Sequence, residues 1–425
     1  MSDLSRYGTP SYRYYVLFLL MLLYVLTTID RGIITVLIEP IKNELGLSDT
    51  DAALLIGPAF AVFFVLAGIP LGRLADRTSR RGVAAACLFV WSVMTGLCGL
   101  ANNFVQLAIG RIGVGVGEAG GPPAAVAMIS DIFSAKRRAS ASAFFYAGAA
   151  LGIMISFGIG GWIAAHYGWR TAFFAAALPG ILLALLIILT VREPPRGLSE
   201  GAAPNMEVMP FGQTMRFVLS QRSLLHILTG ATLGQAVGAG GMAFFVSYML
   251  RSHGMDLPTA GLTVAFCYGI SSTVGVLGFG WLADTLAVRD VRWRCRLPTL
   301  TLATSIFTFT ALVMAPSRLS MTIALALWSF SCSGYTASSY ALFQSLVKVR
   351  MRATIGSIQF IVLAVVGGSV GPMVVGMGSD ALASMLGKDS LRFALLSLVV
   401  LYLWAVMHYI RAERTLVNDL QRSTD

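Results

Sequence analysis

GRLADRTSRR, residues 72–81, and GWLADTL, residues 280–286, each close an apolar stretch, and their aspartates Asp76 and Asp284 stand 208 positions apart in a chain of 425. A motif that returns after half a chain is what an internal duplication leaves behind. Each copy follows a run of apolar residues long enough to cross a hydrocarbon core about 30 Å thick. The chain therefore reads as two copies of a membrane-spanning unit.

Such runs recur along the whole length. Twelve spans are expected, at 14–37, 51–72, 82–101, 104–130, 138–165, 170–190, 222–250, 258–283, 297–315, 320–347, 352–378 and 391–411. Composition agrees: 56% of residues are hydrophobic and 12% charged, against about 25% charged in a soluble globular protein. A soluble fold of this length could not hide so much apolar surface. Glycine and proline inside several spans are no objection, because membrane helices tolerate both.

Loop charges test the count, since short loops rich in Lys and Arg face the cytoplasm. With both termini on that side, the inner loops and tails hold 23 basic residues and the outer loops six, and Arg31 and Arg111 lie within spans. An odd number of spans would scramble this alternation. The net charge of +11 is thus mostly topological, and no nucleic-acid partner is expected. The first apolar stretch exceeds the hydrophobic core of a signal peptide and lacks a small-residue cleavage site, so it reads as a permanent anchor. Cys87, Cys98, Cys267, Cys295 and Cys332 show no metal-ligand spacing and read as small apolar residues.

The longest polar stretch, VREPPRGLSEGAAPNMEVMPFGQTMR at 191–216, has the Pro, Gly and charge content of a linker. The expected organisation is a six-helix bundle over 1–190, a cytoplasmic linker over 191–221 and a second six-helix bundle over 222–425. Paired repeats of this kind are common among secondary transporters.

Charge inside the spans is the next signal. GRIGVGVGEAGGPP, residues 110–123, places Arg111 and Glu118 seven residues apart on nearly one helix face, and the first span carries Asp30 and Arg31. Charged groups at membrane depth are costly and mark substrate or ion pathways by default. Span one runs outward and span four inward, so Asp30 and Arg111, each seven residues from the outer end of its span, both lie roughly 10 Å below the outer edge. They can meet if the helices adjoin. Glu118 lies about 10.5 Å deeper, near the midplane, with Gly and Ala neighbours and no cation at its own depth. Arg111, Glu118, Asp30 and Arg31 are the expected substrate site, with Arg111 as the anion contact and Glu118 or Asp30 as the proton carrier whose protonation decides whether Arg111 is free to bind. Arg31 is turned about 100° from Asp30, and it divides evenly between cavity lining and interfacial packing. A purely architectural lock between spans one and four is the competing explanation. Glu39-Pro40 reads as the outer helix terminus of span one.

Residues 115–120 formally match G-x-G-x-x-G. No strand precedes them and no acidic residue follows near position twenty, so a dinucleotide site is rejected. Small residues at i, i+4, as in Gly113, Gly117 and Gly121, suit close helix packing instead. Pro122 and Pro123 are expected to loosen the helix just below Glu118. The second half lacks midplane charge and carries Ser, Thr, Tyr and Gln in its place, a neutral wall opposite a charged one.

The chain resembles the major facilitator superfamily, through G-x-L-A-D-R-x-S-R-R between spans two and three, its degenerate copy between spans eight and nine, and the glycine-rich fifth span (Gly148, Gly152, Gly158, Gly160, Gly161). Within it the chain is similar to the Spinster lipid-transporter group, through IDRG (29–32), GRIGVGVGEAG (110–120), DIFSAKRRASASAFFYAG (131–148) and GWRTAFF (168–174). Two departures stand out. Thr285 replaces the arginine after the second motif's aspartate, and the fifth span lacks the Gly-Pro pair common in exporters, although such a pair does occur in the eleventh as Gly371-Pro372.

The resemblance implies an all-α integral membrane protein with the major facilitator fold, working by alternating access. It also implies a latch in which Gly72, Asp76, Arg77, Arg81 and Asp284 stabilise the state closed on the cytoplasmic side. Topology alone explains the arginines but not Asp76, which gains at a helix N-terminus. The expected function is proton-coupled transport of a lysophospholipid or sphingolipid-like amphiphile. Alternatives are an organic-anion or sugar-acid symporter and a drug exporter. No cofactor or metal is expected, the chain is expected to be a monomer, and its expected location is a bacterial inner membrane. A membrane enzyme would need a His/Asp, Ser/His or metal constellation, but His166, His226, His253 and His408 are scattered in sequence.

Overall fold

In the computed structural model, residues 7, 9–195, 211–348 and 351–424 are described. Most of the expected linker (196–210), together with Arg6, Arg196 and Arg350 of the basic segments, lies outside them. Every regular element among the described residues is helical. Ten runs are long and apolar enough to cross a membrane; one of them, Ile355–Arg422, is two helices joined by a short turn at Gly387–Asp389, and Arg318–Ser345 adds a further 28-residue helix. The helical passes so described number twelve.

The first six are α1 (Pro10–Leu45), α2 (Asp49–Ile56 and Pro58–Arg77), α3 (Arg80–Cys98), α4 (Phe104–Glu118 and Gly121–Ile132), α5 (Ala135–Met154, a π-helical turn Ile155–Ile159, then Gly160–Tyr167) and α6 (Trp169–Thr190). After the linker helix Phe211–Ser220 come α7 (Arg222–His253), α8 (Leu257–Thr263, a π-helical turn Val264–Tyr268, then Gly269–Ala287), α9 (Trp293–Val313), α10 (Arg318–Ser345), α11 (Arg352–Ile361, a π-helical turn Val362–Gly367, then Gly368–Leu386) and α12 (Ser390–Ser397 and Val399–Thr424). Leu66, Ile69, Leu178 and Leu189 in the first set and Leu277, Trp281 and Phe307 in the second stay exposed. Hydrocarbon removes the cost that water would place on them.

The end of α1 differs from expectation. The helix runs through Pro40 and stops at Gly46, whose left-handed backbone (φ 65°) lets its N–H reach the Lys42 carbonyl. Proline forfeits one backbone bond and kinks a helix, but in a membrane segment the neighbours re-satisfy the freed carbonyl. Glycine in the left-handed region is what ends the helix. α7 ends the same way on Gly254, φ 56°. Gly46 and Gly254 are 208 positions apart, the spacing of Asp76 and Asp284.

By contacts the chain divides into two compact units. One comprises residues 1–47, 58–204 and 257–262, the other 48–57, 205–256 and 263–425. This departs from chain order at two places, the starts of α2 and α8. In the first unit, a side chain at Gly261 of α8 would strike the Phe157 carbonyl in the π-helical turn of α5, so only glycine allows that approach. In the second, the start of α2 packs along α11: Ser48 closes a capping box with Asp51, and Asp380 of α11 accepts from the backbone N–H groups of Asp49 (3.0 Å) and Thr50 (2.8 Å).

Asp49 is buried and anchors that segment. Arg251 of α7 grips its carboxylate through both terminal nitrogens, each at 2.8 Å, and the Ser379 hydroxyl donates to it at 2.6 Å. A two-pronged charge-assisted pair in a shielded place is stronger than a neutral hydrogen bond. Asp49→Ala is therefore expected to lower stability by about 2 kcal/mol. Thermal unfolding of the purified protein in detergent checks this, and an unchanged midpoint would mean that the pair holds nothing.

Candidate functional site

Four helices of the first unit converge on the charged residues picked out in the sequence. α1 supplies Asp30 and Arg31, and α4 supplies Arg111 and Glu118. Asp30, Arg111 and Glu118 are buried. α4 breaks immediately after Glu118, at 119–120, and restarts at Gly121 with Pro122 and Pro123 in its first turn. The loosening expected there is thus a full interruption, and Glu118 is the last residue of the upper segment.

Glycines on α4 make the convergence possible. A Cβ at Gly117 would lie 2.7 Å from the backbone nitrogen of Trp91, and one at Gly113 would lie 2.5 Å from the Met94 side chain, so α3 packs directly on the backbone of α4. The i, i+4 glycines work as packing surface, as expected. On another face, a Cβ at Gly115 would come within 2.5 Å of the Phe60 carbonyl. That approach of α2 delivers Phe60 to the charges.

Arg111 and Asp30 do meet. The Nη1 group of Arg111 donates to the backbone carbonyl of Asp30 at 3.2 Å, and the carboxylate of Asp30 accepts from the Thr95 hydroxyl of α3 at 2.7 Å. Glu118 is placed differently from the depth estimate, which left it without a cation. Arg31 donates through Nε to its Oε2 at 2.6 Å. Helical rise fixes the depth of Cα atoms and does not count the reach of a long arginine side chain that leans along the helix. The Glu118 side chain is 0% exposed, that of Arg31 41%. The second carboxylate oxygen of Glu118, Oε1, is buried without a hydrogen-bond partner among the described residues.

Phe60 and Phe64 of α2 complete the site. The Arg31 guanidinium lies 5.0 Å from the centre of the Phe60 ring and 5.1 Å from that of Phe64, and Arg111 lies 5.2 Å from Phe60. An arginine over an aromatic face is held by the ring's quadrupole and keeps its donors free for a planar anion. Arg31 is the cation with accessible surface; Arg111 is sealed beneath Phe60. The two acids and two bases sum to zero formal charge, which is how such groups are retained at membrane depth.

The residues of the 72–81 motif form a separate cluster at the end of α2 and the start of α3. Asp76 is exposed, its side chain at 75%, and approaches Arg80 only at 4.0 Å. Arg80 forms its close ion pair with Asp131 of α4. Arg81 donates to the Val191 carbonyl at 2.9 Å. Glu193 accepts from the backbone N–H groups of Arg80 (2.7 Å) and Arg81 (3.0 Å) and from the Ser79 hydroxyl, and so caps α3. A carboxylate suits the positive end of a helix. Arg77 is exposed, and a methyl group built on Gly72 would touch nothing. In the second unit Asp284 is likewise exposed.

Sequence reasoning did not single out Phe60, Phe64, Thr95, Asp131 or Glu193. The aromatics are indistinguishable from lipid-facing neighbours, and Glu193 sits in the stretch taken as linker. Two of the scattered histidines prove to be neighbours, His226 of α7 and His408 of α12, with Nδ1 atoms 2.9 Å apart. No group of three or more His, Cys, Asp and Glu among the described residues could hold a metal ion.

A family model described as Major Facilitator Superfamily matches residues 20–372. The chain is 37% identical over 377 residues to an MFS-type efflux pump of Mycolicibacterium smegmatis, which covers 88% of this chain and 86% of that protein. It is 27% identical over 412 residues to a probable L-galactonate transporter of Escherichia coli strain K12, covering 93% and 88%. Among solved structures, a bacterial homolog of the human lysosomal transporter Spinster, inward-facing and unoccupied, superposes with a TM-score of 0.88 at 29% identity, covering 97% of this chain and 99% of that one.

Proposed function

The chain belongs to the major facilitator superfamily, as an integral membrane secondary transporter and not an enzyme, and from that premise we propose that it couples movement of an anionic amphiphile to a proton through the Arg31–Glu118 pair. One observation carries this reading. The accessible cation of the site, Arg31, is tied to a fully buried carboxylate, Glu118. While the pair is closed, the guanidinium is engaged. A proton arriving at Glu118 removes the carboxylate charge that holds Arg31, and the freed guanidinium then takes the phosphate or carboxylate of the substrate. Return of the substrate to solvent restores the pair and releases the proton.

Aromatic faces at Phe60 and Phe64 suit a substrate with apolar surface next to its charge. The likeness to the Spinster homolog supports a lysophospholipid or sphingolipid-like molecule. A sugar acid is the second reading, favoured by the kinship with the L-galactonate transporter. Both need the same guanidinium. The exposed Asp76 and the open space at Gly72 support the latch reading, in which Gly72, Asp76, Arg77, Arg81 and Asp284 engage in a conformation other than this one.

The deciding experiment is flux of a labelled lysophospholipid into proteoliposomes, with and without an imposed pH gradient, in competition with galactonate. Lipid flux that galactonate does not inhibit supports the first reading, and galactonate flux the second. In Glu118→Gln the gradient-driven component should vanish and the rate fall to that without a gradient. Retention of full gradient stimulation would exclude Glu118 as the proton site.

A further inference from the structure

A groove on the first unit, far from the buried charges, lies where the first two turns of α1 meet the junction of α4 and α5. It encloses about 520 Å³ and is lined chiefly by Tyr14, Leu17, Phe133, Arg137, Ser140 and Phe144. A smaller pocket beside it shares Tyr14, Phe133 and Arg137 and adds Arg13 and Ser134. The walls are mainly apolar, and Tyr14 and Phe144 are exposed although both are large. That volume falls within the range of small-molecule sites, and the aromatic rim resembles the belt that membrane proteins present at headgroup level.

Charge at one end says what fits. The Arg137 side chain has no partner among the described residues, whereas Arg13 and Arg138 spend theirs on the carbonyls of Tyr7 and Ser130. Ser134 holds the N-cap position of α5 yet makes no side-chain capping bond, and the first turn of α5 has no acidic residue. Lys136, Arg137 and Arg138 occupy that turn instead, although cations there oppose the helix dipole. The positive-inside rule explains a basic loop but not its position over an apolar groove. An anion joined to a hydrocarbon chain answers every feature at once, with its charge on Arg137 and its chain across Leu17 and Phe144.

We propose that this groove binds an anionic phospholipid of the surrounding leaflet, the phosphate on Arg137 and the acyl chain along α1 and α5. The basic loops mark this side as cytoplasmic. The site lies outside the Arg31–Glu118 centre and does not depend on what is transported.

Native mass spectrometry of the purified, delipidated protein with added phosphatidylglycerol or phosphatidylcholine tests it. Wild type should retain phosphatidylglycerol over phosphatidylcholine by about fivefold, the effect of one guanidinium at a lipid surface. Arg137→Ala should abolish that preference, Arg137→Lys should keep most of it, and Arg289→Ala, a basic residue on the second unit, should leave it unchanged. Phe144→Ala should weaken both lipids alike. If Arg137→Ala keeps the preference, or if Arg289→Ala removes it equally, the proposal is overturned. Displacement of phosphatidylglycerol by millimolar glycerol phosphate would equally overturn it, because the site would then recognise a soluble phosphate.

Discussion

Arg31→Ala is expected to reduce gradient-driven substrate flux in proteoliposomes by about 10- to 100-fold, the factor carried by one charge-assisted hydrogen bond of about 1.5–3 kcal/mol. Its guanidinium combines accessible surface with a fixed position over Phe60 and Phe64. The substitution removes the anion contact and leaves Glu118 without the cation that is hydrogen-bonded to it, so pH dependence should weaken together with affinity. Arg31→Lys keeps the charge but not the flat fork that matches a carboxylate or phosphate, and an intermediate rate is expected. Arg31→Met preserves length and apolar contact with the rings. Wild-type flux in Arg31→Met would show that Arg31 serves packing alone.

Arg111→Ala should act on a different quantity. This guanidinium is buried, donates to the Asp30 carbonyl and lies against Phe60. Breaking such an arrangement costs about 3–5 kcal/mol, because the groups left behind stay buried without their counter-charge. Lower yield and an earlier thermal transition are expected, to a degree that Arg31→Ala does not share. Arg111→Lys should recover part of the loss. Were Arg111→Ala to melt like wild type while losing substrate affinity, the anion contact would belong to Arg111, as its place in the sequence first suggests, and not to Arg31.

The division of labour between these two arginines shows where sequence reading stops. Helical rise brought Asp30 and Arg111 to one level, and they do touch. The same reckoning isolated Glu118, because it follows Cα positions and cannot see a side chain lean. Apolar windows located each pass. They could not tell that Pro40 is carried within α1 while Gly46 ends it, since the relief of a proline in a membrane comes from neighbours absent from the local string. Phe60 reaches the site only because Gly115 admits the α2 backbone, a tertiary fact written at two distant positions. Glu193 looked like a linker charge until the N-terminus of α3 was found against it.

The two left-handed glycines carry one more consequence. From Gly46 to Asp76 and from Gly254 to Asp284 the chain counts the same thirty steps. Adding one residue to a helix turns everything beyond it by about 100°, so an insertion in either stretch would rotate its packing face away from its neighbours. A one-residue change in either stretch is therefore expected to cost packing unless a local irregularity absorbs it, such as the break at Gly57 or the π-helical turn Val264–Tyr268. Length is thus matched between the two halves while chemistry is not: all four charged residues of the site, three of them buried and Arg31 partly exposed, lie in the first half.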